Sequence, residues 1–231
     1  HKATMKTQKV TSSSQSTHGR WYGDACWTAF GLELLGERWA LLIVRELMFG
    51  PRRFSDLKDS LPGISAKVLT ERLAGLMDNG VLTRRKLPPP AAVQVYELTQ
   101  WGYRAEPLIQ ELGRWAAMSG AHDPTLPLSP VSFMLSLRTM FDPEAAGKWS
   151  TRIGFRFPDA AFTGTVENGA FTVLREEPDG AAAVFRTPQA PPLAAMAYLG
   201  MSAADAGVEV TGDPEAARRF LTLFNLPERI G

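Results

Sequence analysis

Ser65, Lys67 and Thr70 fall within six residues and offer one cation and two hydroxyls from a single stretch of chain. Such side chains break no bonds by themselves. They donate hydrogen bonds and positive charge to phosphate oxygens and to the acceptor edges of bases. Two further basic groups flank them: the pair Arg52-Arg53 upstream and the triplet Arg84-Arg85-Lys86 downstream. The three histidines, at positions 1, 18 and 122, lie in tail or connecting sequence, so no metal cluster or His-based triad can be assembled from them. No phosphate-cradling glycine loop occurs either. The sequence therefore predicts no catalytic residue, no metal and no cofactor, and nothing in it supports carboxylate-only catalysis.

To present Ser65, Lys67 and Thr70 together, the chain needs a helix there, and the pattern supplies one. Leu69, Leu73 and Leu76 recur at helical spacing, with Lys67, Glu71, Ala74 and Asp78 opposite and Thr70 at the flank. Ser65 is a suitable N-cap and Gly80 a suitable terminator, which predicts a helix from Ala66 to Asn79. Before it come an apolar-periodic stretch from Cys26 to Leu35 and a helix from Trp39 to Phe49, whose expected buried stripe is Trp39, Leu42, Ile43, Leu47 and Met48. A short helix from Phe54 to Ser60 and the turn Leu61-Pro62-Gly63 follow. After it, Val81–Lys86 and Val93–Leu98 read as strands around the proline-rich tip Leu87-Pro88-Pro89-Pro90-Ala91. Thr99 caps a last helix to about Ser119, expected to bury Tyr103, Leu108, Leu112 and Trp115.

Three helices, a sharp turn before the third and a two-stranded hairpin make a winged helix-turn-helix. Its third helix fits the major groove of duplex DNA, where base edges can be read. The expected DNA contacts are Ser65, Lys67 and Thr70 on that helix. Arg52 and Arg53 would neutralise backbone phosphates, and Arg84, Arg85 and Lys86 would track the neighbouring backbone or minor groove from the wing.

At 231 residues, 45% hydrophobic and 21% charged, the chain is long enough for two globular units. Its net charge of +1 conceals an asymmetry of +4 over residues 1–125 and −3 over 126–231, which points the first half toward a polyanion. Cys26 is the only cysteine, so no internal disulfide forms, consistent with a cytoplasmic protein. No apolar run is long enough to span a bilayer. Residues 1–20 read as a tag and disordered tail, with His1–Thr4 a vector remnant and Met5 the native start. Residues 21–122 then form the DNA-binding and dimerisation domain, 123–130 a linker and 131–231 a second domain.

That second domain is predicted to be α+β. It has an apolar helix over Val131–Phe141 and strands at Thr151–Phe157, Ala161–Glu167, Ala170–Arg175 and Ala182–Arg186. Short helices at Leu193–Leu199 and Ser202–Asp205 follow, then a brief strand at Val208–Val210 and a closing helix from Asp213 to Phe224. Asn168-Gly169 marks a hairpin. Nine of the 12 phenylalanines and four of the eight methionines lie beyond Pro130. Many must fill the core, yet the surplus also suits a pocket for an apolar or aromatic small molecule. Phe133, Leu137, Phe155, Phe171, Met196 and Phe224 are the expected lining. Arg138 and Arg156 either orient an anionic group there or are solvated.

Two resemblances join this reading. The run Cys26…Leu34-Leu35-Gly36-Glu37-Arg38-Trp39, then Leu47…Gly50…Arg53-Phe54-Ser55-Asp56-Leu57, resembles the HxlR-type regulators. So do Leu61 through Leu73, Gly80-Val81-Leu82, Val95 through Thr99, and Gly102. The likeness covers about Asp24 to Trp115. It departs from the family where Gly-Lys-Trp is common (here Gly36-Glu37-Arg38-Trp39) and where a proline often follows the cysteine. It implies a homodimer joined by the first and last helices of the domain. The two reading helices would then face half-sites about 34–36 Å apart on a near-palindromic operator. In some relatives a cysteine placed like Cys26 senses oxidants or quinones; here the alternatives are such a thiol switch or a small apolar residue at the dimer interface. The segments Leu137–Ala146 and Gly212–Leu221 resemble sterol-carrier-protein-like domains, which implies an apolar tunnel. The resulting expectation is a repressor controlled by an apolar effector; a redox-sensing regulator and a lipid carrier are the alternatives.

Overall fold

A buried apolar stripe on one short helix after another builds the N-terminal half. The computed structural model describes residues 22–230, so the expected tag and tail over residues 1–20 lie outside the described residues. Helices α1 (Trp27–Leu35), α2 (Ala40–Glu46), α3 (Phe54–Ser60) and α4 (Ala66–Asp78) lead into a hairpin of β1 (Leu82–Lys86) and β2 (Gln94–Leu98). Ile43, Val44, Leu47, Leu57, Leu69, Leu73 and Leu76 form one continuous core beneath them. The hairpin is in antiparallel register from Leu82 opposite Leu98 to Lys86 opposite Gln94. Arg52 adds a one-residue third strand, exchanging backbone hydrogen bonds with Tyr96 at 2.9 and 2.8 Å. Together these elements form a winged helix-turn-helix.

Two expectations fail here for identifiable reasons. The single helix from Thr99 to Ser119 is divided into α5 (Gln100–Tyr103) and α6 (Glu106–Ala117). Thr99 does cap α5, its Oγ1 accepting from the Gly102 N–H. Pro107, however, has no N–H to offer the Tyr103 carbonyl, and its ring crowds that turn. Leu108, Leu112 and Trp115, expected inside, are 55, 48 and 69% exposed, and Leu42 is exposed as well. Helical periodicity marks an apolar face without saying what covers it. In this chain α6 has no fully buried residue and meets the core through the partly buried Ile109.

The C-terminal half begins with α7 (Pro130–Met140), capped by Ser129. A short helix not anticipated from sequence, α8 (Pro143–Ala146), follows, with Asp142 as its cap. Strands β3 (Thr151–Phe157), β4 (Ala160–Glu167), β5 (Ala170–Leu174) and β6 (Ala183–Arg186) come next. Then come α9 (Pro191–Leu199), α10 (Ala203–Ala206), β7 (Glu209–Gly212) and α11 (Pro214–Leu221). The sheet order is β5-β4-β3-β6-β7, with β3 and β6 parallel and the other pairs antiparallel. Asn168 and Gly169 both take positive φ, +52° and +71°, the backbone that a two-residue hairpin requires. This is a mixed α+β fold, with Phe133, Phe155, Phe162, Phe185 and Phe220 fully buried between sheet and helices.

The halves are not joined by a free tether. Leu135 of α7 is buried in the N-terminal core. Glu46 of α2, itself buried, accepts hydrogen bonds from Ser129 and Ser132 at 2.7 and 3.2 Å. Arg138 pairs with Glu106 of α6 at 2.9 Å, and Arg114 donates to the Thr139 carbonyl at 3.1 Å. The Phe49 ring meets Phe162 edge-on. These contacts fasten α7 to α2 and α6.

Candidate nucleic-acid interface

Helix α4 is held by its leucines and presents its remaining edge to solvent. Ser65 has extended backbone, and its Oγ accepts from the Val68 N–H at 3.2 Å, which satisfies one of the four orphan donors at the helix start. The serine's own proton stays available to a phosphate or base acceptor. Thr70 donates to the Ala66 carbonyl at 2.9 Å, so outward it offers acceptor lone pairs. Lys67 is 86% exposed and lies 4.0 Å from the exposed Glu71. Arg72, from the same helix, reaches back to the Arg38 carbonyl at 3.1 Å and to Glu37 at 2.9 Å, clamping α4 to the loop before α2. Sequence reasoning gave Arg72 no role; its helical position beside the leucines was the available signal.

The flanking cations sort differently from expectation. Arg53 is exposed at the N-cap of α3, its backbone N–H donating to Asp56. Arg52 is a correction. It is buried, and its guanidinium bonds the Asp56 carbonyl at 3.3 Å and Ser60 Oγ at 3.1 Å, because the backbone bridge to Tyr96 turns the side chain inward. It supports α3 and is not a free phosphate ligand. On the wing, Arg84 and Lys86 are exposed on the face shared with Tyr96 and Gln94. Arg85 points the other way and is engaged by Glu97, whose hydrogen bond and charge hold its pKa above the usual value. Ser65, Lys67 and Thr70 are thus exposed at the N-cap and first turns of α4, while Arg84 and Lys86 are exposed on one face of the hairpin.

Residues 34–123 match the HxlR-like helix-turn-helix family, and residues 122–229 match the alkyl sulfatase C-terminal family. The HTH-type transcriptional regulator YodB of Bacillus subtilis is 41% identical over 83 residues, which is 36% of this chain and 74% of that protein. The chain belongs to the HxlR-like helix-turn-helix family. The uncharacterized HTH-type transcriptional regulator YtfH of Escherichia coli is 30% identical over 111 residues, 48% of this chain and 88% of that one. The reduced form of B. subtilis YodB superposes with a TM-score of 0.39 at 35% identity, covering 43% of this chain and all of that one. A quinone-bound form of the same regulator superposes at 0.35, with 36% identity over 39% of this chain and 94% of that one.

At the start of this HxlR-like half, Cys26 is exposed at the N-cap of α1. Hydrogen bonding from the backbone of Thr28 and Ala29 lowers its thiol pKa below the usual range. In the C-terminal half, all six expected lining residues are buried together in the core. Phe133 packs edge-on against Phe155, and Phe171 against Phe224. They fill space that the sequence reading left open to a ligand. Arg138 and Arg156 are paired with Glu106 and Glu177, both at 2.9 Å.

Two cavities lie elsewhere. One, of about 820 Å³, runs between α3 and the C-terminal half. Arg52, Asp56 and Ser60 stand on one wall, Leu128 and Ser129 on the connector, and Arg175 across the gap. A second, of about 920 Å³, shares Phe157–Ala160 and Arg175 with the first and continues past Arg156 and Arg186. Neither is lined by any of the six.

Proposed function

We propose that this chain is a DNA-binding transcriptional repressor that acts as a homodimer in the cytoplasm and whose operator affinity is set by a small molecule. In this reading, residues 21–122 bind DNA and dimerise, 123–130 connect, and 131–231 sense the effector. The observation that carries it is the geometry of α4: a capped helix with its leucines buried and Ser65, Lys67 and Thr70 exposed at and near its N-terminus. Membership of the HxlR-like family and the regulators named among its relatives support it. Dimerisation is supported by the uncovered apolar residues of α1 and α6, among them Trp27, Leu112 and Trp115. For the C-terminal half, the order of helix, five-stranded sheet and helices supports a sterol-carrier-like type that takes an apolar ligand. The ligand acts by binding one dimer geometry better than another. No catalytic role is proposed.

Selection of a random-sequence DNA library with the purified chain tests this reading. It should enrich near-palindromic sites with half-sites about one helical turn apart. Enrichment of no sequence over input DNA would sink it.

One observation favours a second reading. The exposed, acidified Cys26 thiol suits an electrophile sensor, and a quinone-bound form is among the structures of the related YodB. Under that reading Cys26→Ala retains operator binding and loses its release by quinones. Under the first, release by the effector survives the substitution.

A further inference from the structure

We propose that the cleft between α3 and the C-terminal half binds an organic monocarboxylate with an apolar body, its carboxylate held by Arg175 across from Arg52. Its role as the effector site rests on the regulatory reading above; the binding itself does not.

The charge pattern selects the ligand. Among the described residues, no carboxylate lies within 4 Å of the Arg175 guanidinium, although most other arginines of this half are so paired. Arg175 is half-buried and lies over the Phe162 ring, 5.7 Å from its centroid, which fixes its plane and leaves its donors without a carboxylate acceptor. Lining the same cleft, the buried Arg52 Nε has no hydrogen-bond partner among the described residues, with Asp56 Oδ2 3.7 Å away. Burial, and then repulsion from Arg52, lowers the Arg175 pKa, while Asp56 and Glu46 oppose that shift. A ligand carboxylate on Arg175 would supply the acceptor its donors lack and, lying in the cleft that Arg52 also lines, would offset the repulsion between the two cations.

The same lining limits the ligand to one negative charge. Asp59 and Asp159, both exposed and without a basic partner among the described residues, border the cleft and disfavour a phosphate ester. Pro62, Leu128, Phe157, Pro188 and Pro191 supply rigid apolar walls for the remainder of the molecule. Those walls come from both halves of the chain. Pro62 lies in the turn between α3 and α4, so a ligand that draws the walls together changes the setting of the reading helix.

Calorimetric titration of the full chain with benzoate and octanoate, each against its uncharged amide, tests the site. At least one carboxylate should bind, and its amide should bind at least about tenfold more weakly. Arg175→Gln should abolish the difference between acid and amide, and Arg175→Lys should retain part of it. Failure of both carboxylates to bind in the millimolar range, or equal binding to wild type and Arg175→Gln, overturns the proposal. Operator affinity measured with and without saturating carboxylate separates the two levels. If the carboxylate binds through Arg175 and operator affinity does not move, the site stands and the regulatory role of the C-terminal half fails.

Discussion

Replacing Lys67 with alanine removes the cation from the outer edge of α4 and leaves the helix in place. Lys67 is almost fully exposed, and its pair with Glu71 at 4.0 Å is an i,i+4 contact in solvent. Such a pair is worth about 0.2–0.5 kcal/mol. Alanine is at least as good a helix former as lysine, which offsets the loss. At roughly 2–4 °C per kcal/mol for a chain of this size, Tm should move by no more than about 2 °C. Operator binding responds very differently. A lysine that neutralises one phosphate adds about 0.9 to the slope of log K against log salt, and a dimer presents two copies of α4. The slope should therefore fall by about 1.8. Two lost contacts of about 1 kcal/mol each weaken binding about 30-fold at moderate salt. Fluorescence anisotropy with a selected operator, from about 50 to 200 mM salt, measures both quantities. A variant with unchanged affinity and slope would refute the placement of the reading face.

Arg52→Ala and Arg53→Ala should separate cleanly. Losing the buried Arg52 bonds to Asp56 and Ser60 costs about 2 kcal/mol, or about 4–8 °C in Tm, whereas Arg53→Ala leaves Tm alone and weakens the operator complex. Reversed outcomes would contradict the burial difference. Leu112→Glu puts a charge on the uncovered apolar face of α6, and sedimentation should show the dimer converted to monomer; an unchanged dimer would place the interface elsewhere. Removing both hydroxyls that bond Glu46, in Ser129→Ala/Ser132→Ala, leaves a buried carboxylate short of donors and should cost about 1–3 kcal/mol in denaturant unfolding. Stability equal to wild type would show that this contact does not hold the halves together. Because backbone hydrogen bonding lowers the Cys26 pKa, its thiolate persists to lower pH than in a free cysteine. Alkylation by iodoacetamide should reach half its maximal rate below about pH 8.5, and a midpoint at or above that value would remove the basis for a sensor.

Much of the reading head could be read from local sequence because its determinants are local. Ser65 caps the helix whose stripe is Leu69, Leu73 and Leu76, and Asn168-Gly169 turns the hairpin between β4 and β5. Each depends on neighbours a few residues away. The division at Pro107 was also within reach, since a missing N–H is a property of the residue itself. Arg52 and Arg53, in contrast, are adjacent and chemically identical, and their fates differ because a backbone bridge to Tyr96, 44 residues away in the chain, turns one of them inward. The six apolar residues named for a ligand were chosen by type, which finds a core as readily as a pocket; their mutual packing is what distinguishes the two.

Sequence alone determined the capped amphipathic helix, the wing beside it, and the α+β character of the second half, because periodicity, caps and turns act over a few residues. Tertiary structure decided which arginine is free, that α7 and Glu46 fasten the halves together, and that Arg175 faces Arg52 across a cleft. Those outcomes depend on burial and on the meeting of segments more than eighty residues apart, such as Glu46 with Ser132, and no local pattern encodes which charge ends up beside which.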